Sequence, residues 1–256
     1  MNILVCIKQT FDTEEKITLA NGRISEEGVE FILNPYDEYA VEEAVRIKEA
    51  QGADVTVLTV GPSRAESALR TALAMGADKA VLVEAEGLEL DEHALAKLIA
   101  AAANKLGPFD LILGGNMAVD SGAGQVAIRV AEELGIPHVS TITKLTLEGG
   151  KAVVERDVEG DLEVVEVALP FLATAQQGLN EPRYPSLPGI MKAKKKPLER
   201  WAAEDLGFNP DELEIRTKVT EQFLPQKKQA GRILAGDIGR QVKELAQLLR
   251  SEAKVI

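Results

Sequence analysis

Three stretches of this 256-residue chain place hydrogen-bonding side chains at an element terminus, where a ligand could be held. The most informative is the turn Gly115-Asn116-Met117-Ala118-Val119-Asp120-Ser121-Gly122-Ala123-Gly124-Gln125, which runs into Val126. Ser121, Gly122, Ala123 and Gly124 are all small, so backbone N–H groups at a helix start can approach a phosphate closely, and Gln125 can add a side-chain donor. The same residues also describe a tight strand-to-helix turn with no ligand. The second stretch, Cys6 to Gln9, ends a short apolar run, and the third is the helix start Asn34-Pro35-Tyr36-Asp37. No Gly-x-x-x-x-Gly-Lys-Ser/Thr is present, and no Gly-x-Gly-x-x-Gly follows the first apolar run, which excludes the P-loop and the usual dinucleotide fingerprint. Nucleophilic chemistry finds little support. Asp120 and Ser121 lack a nearby histidine and an elbow motif. Cys6, within an apolar run, reads as a core thiol. His93 and His138 are expected at the surface and in a loop, and no Cys/His spacing suits a metal. Lys8 is either a solvated strand end or a contact to a nucleotide or partner.

The elements that must position these residues alternate. Asn2–Ile7, Val55–Val60, Lys79–Val83 and Leu111–Leu113 are short, mostly apolar runs of the kind that form buried parallel strands. Between them lie helical patterns. The first starts at Asn34 as N-cap with Pro35 next and acidic Asp37 and Glu38 in the first turn, and closes at Gly52. Others are expected from Ser63 to before Gly76, from Asp91 to Leu106, and from about Ser121 to Leu134. Strand and helix alternating in this way predict an α/β fold, a doubly wound, mostly parallel sheet. In such sheets ligands bind at the carboxyl ends of the strands, where the three stretches can converge. After Pro137 the pattern becomes β-rich. Val139–Leu147, Ala152–Arg156 and Leu162–Leu169, joined by glycine turns, predict antiparallel edge strands, and Phe171–Thr174 one more short strand.

The segment Leu179 to Lys196 is rich in proline yet carries Tyr184, Leu187, Ile190 and Met191, and ends in four lysines out of five. Three prolines and a glycine argue against a helix or central strand over most of it. It reads as a recognition segment or as a linker with a basic end. Beyond Pro197 charges dominate until Asp237–Leu249, where helical spacing returns. Residues 198–256 are therefore expected to form an extended C-terminal arm, folded back on the sheet or wrapped around a partner subunit, beside a nucleotide-binding domain of residues 1–197. A formal net charge of −12 argues against nucleic-acid binding. A single cysteine, no visible signal peptide and no apolar run near membrane-spanning length fit a cytoplasmic protein without membrane insertion.

Asn180-Glu181-Pro182-Arg183-Tyr184-Pro185-Ser186-Leu187-Pro188-Gly189-Ile190-Met191-Lys192-Ala193-Lys194-Lys195-Lys196 resembles the signature of the electron transfer flavoprotein (ETF) β subunit. Asn34-Pro35-Tyr36-Asp37 through Ala44, Arg70 to Asp78, and Val154-Glu155-Arg156-Asp157 agree with it in order. The resemblance implies a sheet domain of the adenine nucleotide α-hydrolase type, in a heterodimer whose α subunit holds most of the redox FAD. It implies an electron carrier rather than an enzyme. Acyl-CoA dehydrogenases and related flavoenzymes would be donors, and ETF-quinone oxidoreductase the acceptor. Structural AMP would sit in this subunit against Cys6, Asn34, Pro35, Tyr36, Asp37, Val60 and the run Gly115 to Val126. Tyr184, Leu187, Pro188, Ile190, Met191, Lys192 and Lys195 would dock the partner, with Leu187 as anchor, and Asp157 would help to orient the FAD domain. Electron-bifurcating members place a second FAD where others hold AMP, and their turn typically reads Asp-Gly-Asp-Thr-Ala-Gln-Val-Gly-Pro. Here it reads Asp120-Ser121-Gly122-Ala123-Gly124-Gln125-Val126-Ala127-Ile128, which favours AMP. An ATP-pyrophosphatase on a similar sheet would need Ser-Gly-Gly-x-Asp-Ser where this chain has Lys8-Gln9-Thr10-Phe11-Asp12. A stand-alone nucleotide-binding stress module would leave the basic segment and the tail without a purpose.

Overall fold

In a computed structural model that describes residues 1–209, 213–226 and 230–256, the chain divides into two units. The first comprises Met1–Ile17 and Ser25–Thr220. Its centre is a nine-stranded sheet built from β1 (Asn2–Cys6), β6 (Asp54–Gly61), β7 (Lys79–Glu84), β8 (Leu111–Gly115), β9 (His138–Glu148), β10 (Lys151–Val158), β11 (Asp161–Ala168), β12 (Phe171–Ala175) and β13 (Leu198–Trp201), in the order β11-β10-β9-β12-β8-β1-β6-β7-β13. Seven neighbours, β9 to β13 in that order, run parallel, while β10 and β11 add antiparallel to the β9 edge. A two-stranded ribbon, β2 (Gln9–Phe11) with β5 (Phe31–Leu33), lies beyond the end of β1.

Alternation within each strand sorts the core into two layers. Ile3 and Val5 of β1, Val55 and Val57 of β6, and Leu111 and Leu113 of β8 face α1 (Pro35–Gln51) and α2 (Glu66–Met75), which contribute Val41, Ala44, Leu69 and Leu73. Leu4, Leu58 and Ile112, one residue on or back, face α3 (Glu92–Leu106) and α4 (Val126–Leu134) through Ile99, Ala103 and Val130. Both faces of the strands are covered, which explains their unbroken apolar character and makes the sheet doubly wound. A leucine such as Leu113, fully buried here, costs about 2–5 kcal/mol when cut to alanine.

Several boundaries differ from the sequence expectation. α4 starts at Val126 rather than near Ser121, because Gly122 and Gly124 adopt left-handed φ of 64° and 61° and keep the preceding turn out of the helix. Ser63–Ala65 forms a 3₁₀ turn ahead of α2. The proline-rich segment contains a short helix, α5 (Leu187–Ala193), where none was expected. Pro188 lies in its first turn, where a missing N–H costs nothing, and the Ser186 hydroxyl accepts from Gly189 N at 3.1 Å as the N-cap. His93, expected at the surface, is buried on α3. The start of the tail, Leu198–Trp201, closes the sheet as edge strand β13 beside β7.

The second unit comprises Thr18–Ile24 and Glu221–Ile256. Its hairpin pairs β3 (Leu19–Ala20) with β4 (Arg23–Ile24) around Asn21-Gly22, both at positive φ as a tight hairpin turn demands. Ile24 N donates to Gln222 Oε1 at 3.0 Å. Helix α6 (Ile238–Leu248) is capped by the Asp237 carboxylate, which accepts from Arg240 N at 3.0 Å. Its apolar stripe is open, with Ile238 78% and Val242 59% exposed. Of the expected arm, residues 210–212 and 227–229 lie outside the described residues.

Candidate functional site

Between β6 and β12 the chain leaves the sheet in opposite directions, so a crevice opens over the carboxyl ends of β1 and β8. A cavity of about 290 Å³ occupies it. Its walls include Cys6, Asn34, Asp37, Val60, Gly115, Asn116, Met117, Ala118, Ser121, Ala123, Gly124, Gln125 and Val126. All thirteen were singled out from the sequence, and the fold brings them together from five separate elements. Pro35 and Tyr36 at the start of α1, and Val119, Asp120 and Gly122 in the turn before α4, stand beside them but do not line the cavity.

Two buried side chains hold these loops in place. Asp37 bridges the ends of the two central strands: its Oδ2 accepts from Lys8 N at 2.7 Å and its Oδ1 from Gly115 N at 2.9 Å. Burial pushes this carboxyl up to about 7, against the pull of those two N–H donors and of Asn34. Gly115 has no room for a side chain, since a Cβ there would fall 2.3 Å from Asp37 Oδ1 and 2.7 Å from Tyr36 carbon atoms. Tyr36 thus acts behind the wall, through its backbone and Cβ. Asn34 stands before α1, as expected, but its side chain does not cap the helix. Instead its Nδ2 donates to Met117 O at 2.9 Å and its Oδ1 accepts from Val119 N at 3.1 Å, stitching the 116–119 turn to the start of α1.

On the rim, Lys8 Nζ reaches Asp120 Oδ1 at 2.7 Å, which brings the Cys6–Gln9 stretch and the Gly115–Gln125 turn into direct contact. The glycine turn then delivers the chain to the N-terminus of α4, whose first-turn N–H groups have no partner within the helix. Gln125 Oε1 accepts from the Arg129 guanidinium at 2.9 Å, which leaves the Gln125 amide nitrogen as a donor. Cys6 is no nucleophile, because burial and the neighbouring Asp37 charge push its thiol up to about 12.

The opposite wall was not foreseen. Leu90, Asp91, Glu92, Leu95 and Ile99 come from the start of α3, and Val130 from α4. Leu95 and Ile99 are four residues apart and share one helical face, but the spacing alone does not separate a cavity wall from a core stripe. Asp91 caps α3 through Oδ1, accepting from Ala94 N at 2.9 Å, while Oδ2 accepts from Arg216 N and Thr217 N at 2.8 and 2.9 Å. Burial opposes the Asp91 charge, yet these donors bring its carboxyl down to about 2. Buried His93 lies with its Nε2 3.5 Å from Glu214 Oε2. Among the described residues no cluster of metal-ligating side chains occurs, and no helix is long and apolar enough to cross a membrane.

Away from the cavity, the segment before and along α5 displays Tyr184 (95% exposed), Leu187 (79%), Met191 (71%), Pro188, Ile190, Lys192 and Lys195 to solvent. Asp157 is exposed on β10, and its Oδ1 accepts from Gly160 N at 3.3 Å in the turn to β11.

Residues 21–206 match the family model for the electron transfer flavoprotein domain. The chain is 56% identical to the electron transfer flavoprotein subunit beta of Bacillus subtilis strain 168, over 100% of both chains. It is 43% identical to the protein of the same name from Syntrophomonas wolfei, over 100% of this chain and 98% of the relative. It is also 40% identical to the caffeyl-CoA reductase-Etf complex subunit CarD of Acetobacterium woodii, over 99% and 98%.

Proposed function

The chain belongs to the electron transfer flavoprotein β family, and from that premise we propose that it forms a heterodimer with an α subunit and carries electrons in the cytoplasm from acyl-CoA dehydrogenases and similar flavoenzymes to a quinone reductase. The observation that carries this assignment is the exposed Leu187 on α5, an apolar knob on a molecule of net charge −12. Redox partners must meet and part quickly, so their interfaces are small, below about 1,200 Å². One apolar anchor followed along the chain by exposed Lys192 and Lys195 suits that need, the lysines favouring encounter with an acidic surface. FAD, held mainly by the α subunit, supplies the electron-accepting chemistry. The role of this chain is to dock the donor, hold its own nucleotide and present a face to the α subunit. The open stripe of α6, Ile238 and Val242 with Leu245, is the part of the 198–256 arm that we assign to that face. Asp157, exposed on its hairpin, is assigned to orientation of the FAD domain.

For the cavity we propose AMP in a structural role. The lining suits it in chemistry: apolar Val60, Leu95, Ile99 and Val130 for a base, and the small turn before α4, with Gln125 and Lys8, for one phosphate. A volume of about 290 Å³ suits a mononucleotide better than a dinucleotide. The competing assignment is a second FAD, as in bifurcating members. One relative, the A. woodii subunit, bears the name of a reductase–Etf complex, but Ser121-Gly122-Ala123 and Ala127-Ile128 depart from the bifurcating turn. Denaturing the purified heterodimer and quantifying the released nucleotides decides between them. One FAD with one AMP is the expected result; two FAD without AMP overturns it.

A further inference from the structure

The segment that presents Leu187 is tied to the sheet domain at both ends by groups that make no use of its exposed face. At the near end, Arg183 inserts a planar fork between two glutamates of α1. Its Nε and Nη2 donate to Glu42 at 2.8 and 3.1 Å, and its Nη1 and Nη2 to Glu49 at 2.6 and 2.9 Å. Glu42 is buried. Burial alone would raise its carboxyl, but the Arg183 and Arg46 guanidiniums hold it below the ordinary glutamate value. Arg46 also pairs with Glu42, so what Arg183 alone contributes is the fork that spans both glutamates and ties the segment to α1. Asn180 Nδ2 adds bonds to Tyr39 O and Glu43 Oε2 at 3.0 and 2.9 Å.

At the far end, Lys196 Nζ donates to the carbonyls of Leu73 (2.9 Å) and Ala77 at the end of α2, where a cation also suits the helix dipole. Arg70 of α2 returns the favour, donating to Ala193 O at 2.8 Å. Between the ends, Gly189 lies so close to α2 that a Cβ on it would stand 2.6 Å from Ala74 O. A proline-rich linker would need none of these.

We propose that Arg183, Gly189 and Lys196 are positioning residues for docking: they hold α5 in its bound geometry before a partner arrives, so that a preformed apolar pocket on the partner meets a rigid knob. The inference rests on the docking assignment above. Its physical content is preorganisation. A loop that ordered only on contact would lose binding free energy to the ordering, which a small, transient interface has little of to spare.

The test uses the holo heterodimer as electron acceptor for an acyl-CoA dehydrogenase, with three variants. Arg183→Lys keeps the charge but loses the fork. Gly189→Ala changes no charge and lifts α5 from α2. Leu187→Ala removes the knob and leaves the frame. Arg183→Lys and Gly189→Ala are expected to raise KM for the heterodimer by about five- to tenfold with kcat within about twofold. Hydrogen exchange of the Ile190 amide, which donates to Ser186 O at 2.9 Å, should quicken at least about tenfold in both. Unchanged KM in the face of faster exchange overturns the proposal. So does a raised KM without faster exchange, since the loss then comes from altered shape rather than lost order. If Arg183→Lys does not assemble, Gly189→Ala carries the test alone. A Leu187→Ala heterodimer with unaltered KM sinks the docking assignment itself, a different failure.

Discussion

Asp37 makes the stability of this protein depend on pH in a direction opposite to that of most carboxylates. Its folded value of about 7 stands well above the ordinary aspartate value of 3.8 because burial outweighs the two N–H donors. A carboxyl raised on folding keeps a proton that the unfolded chain has already released. Its contribution to stability is therefore complete below about pH 4 and is lost as the pH rises through about 7. Integrating the occupancy of a site with that value from about pH 5 to pH 8 gives about two proton-units, and at 1.36 kcal/mol each this is about 3 kcal/mol. The measurement is urea unfolding of the heterodimer at the two pH values, at a fixed excess of AMP, for wild type and Asp37→Asn. Other groups, including Glu38 and Glu43 with raised values of their own, contribute to both proteins and cancel in the difference. The variant must accept two N–H bonds with one amide oxygen, so its absolute stability falls by about 1–3 kcal/mol at any pH. The difference in slope is the diagnostic. Wild type should lose about 3 kcal/mol more than the variant on going from pH 5 to pH 8. Equal slopes would refute the claim that the carboxyl bridging Lys8 and Gly115 is protonated in the fold near neutrality.

Two further outcomes are expected. Asn34→Ala removes both bonds to the 116–119 turn and should cost about 1–3 kcal/mol in denaturant unfolding, with faster release of bound nucleotide; a variant that matches wild type in both would show that the stitch is idle. Cys6, with its thiol pushed up to about 12, carries a thiolate fraction of about one in ten thousand at pH 8, so iodoacetamide should label it only after denaturation, as read by intact mass; rapid labelling of the native protein would contradict the raised thiol.

The parallel sheet was legible because its signals are local. Asn2–Cys6 and Leu111–Gly115 are apolar on both faces, and Gly52 and Gly135 stop their helices at left-handed φ of 76° and 64°. The loops over the strand ends were legible from the sheet pattern, but Val60 came only from the resemblance to the family, and the small turn before α4 read equally well as a plain strand-to-helix turn. What was not legible came from distance. Asn34 looked like a helix cap, since Asn before Pro has that meaning in sequence. Its actual bonds go to residues 83 and 85 positions away. His93 is buried with Glu214 nearby, a packing partner that no spacing could announce. The α3 wall carried no signal that distinguishes a cavity-facing Ile99 from a core one. The helix α5 went unseen because proline count outvoted position, although Pro188 stands in the one turn of a helix that accepts it.

The ties of the 183–196 segment also have a consequence for the order in which the contacts can close. Arg183 meets Glu42 across 141 residues of chain, and Lys196 meets Leu73 across 123. Closing such separations costs more loop entropy than forming a helix or a hairpin, so these contacts depend on elements that assemble locally. α5 is seated on α2, the residues ahead of it on α1 through Arg183, and β13 on β7. A chain in which α1 or α2 is out of place therefore lacks the seat on which this segment rests. A seated α5 reports that both helices beneath it are finished.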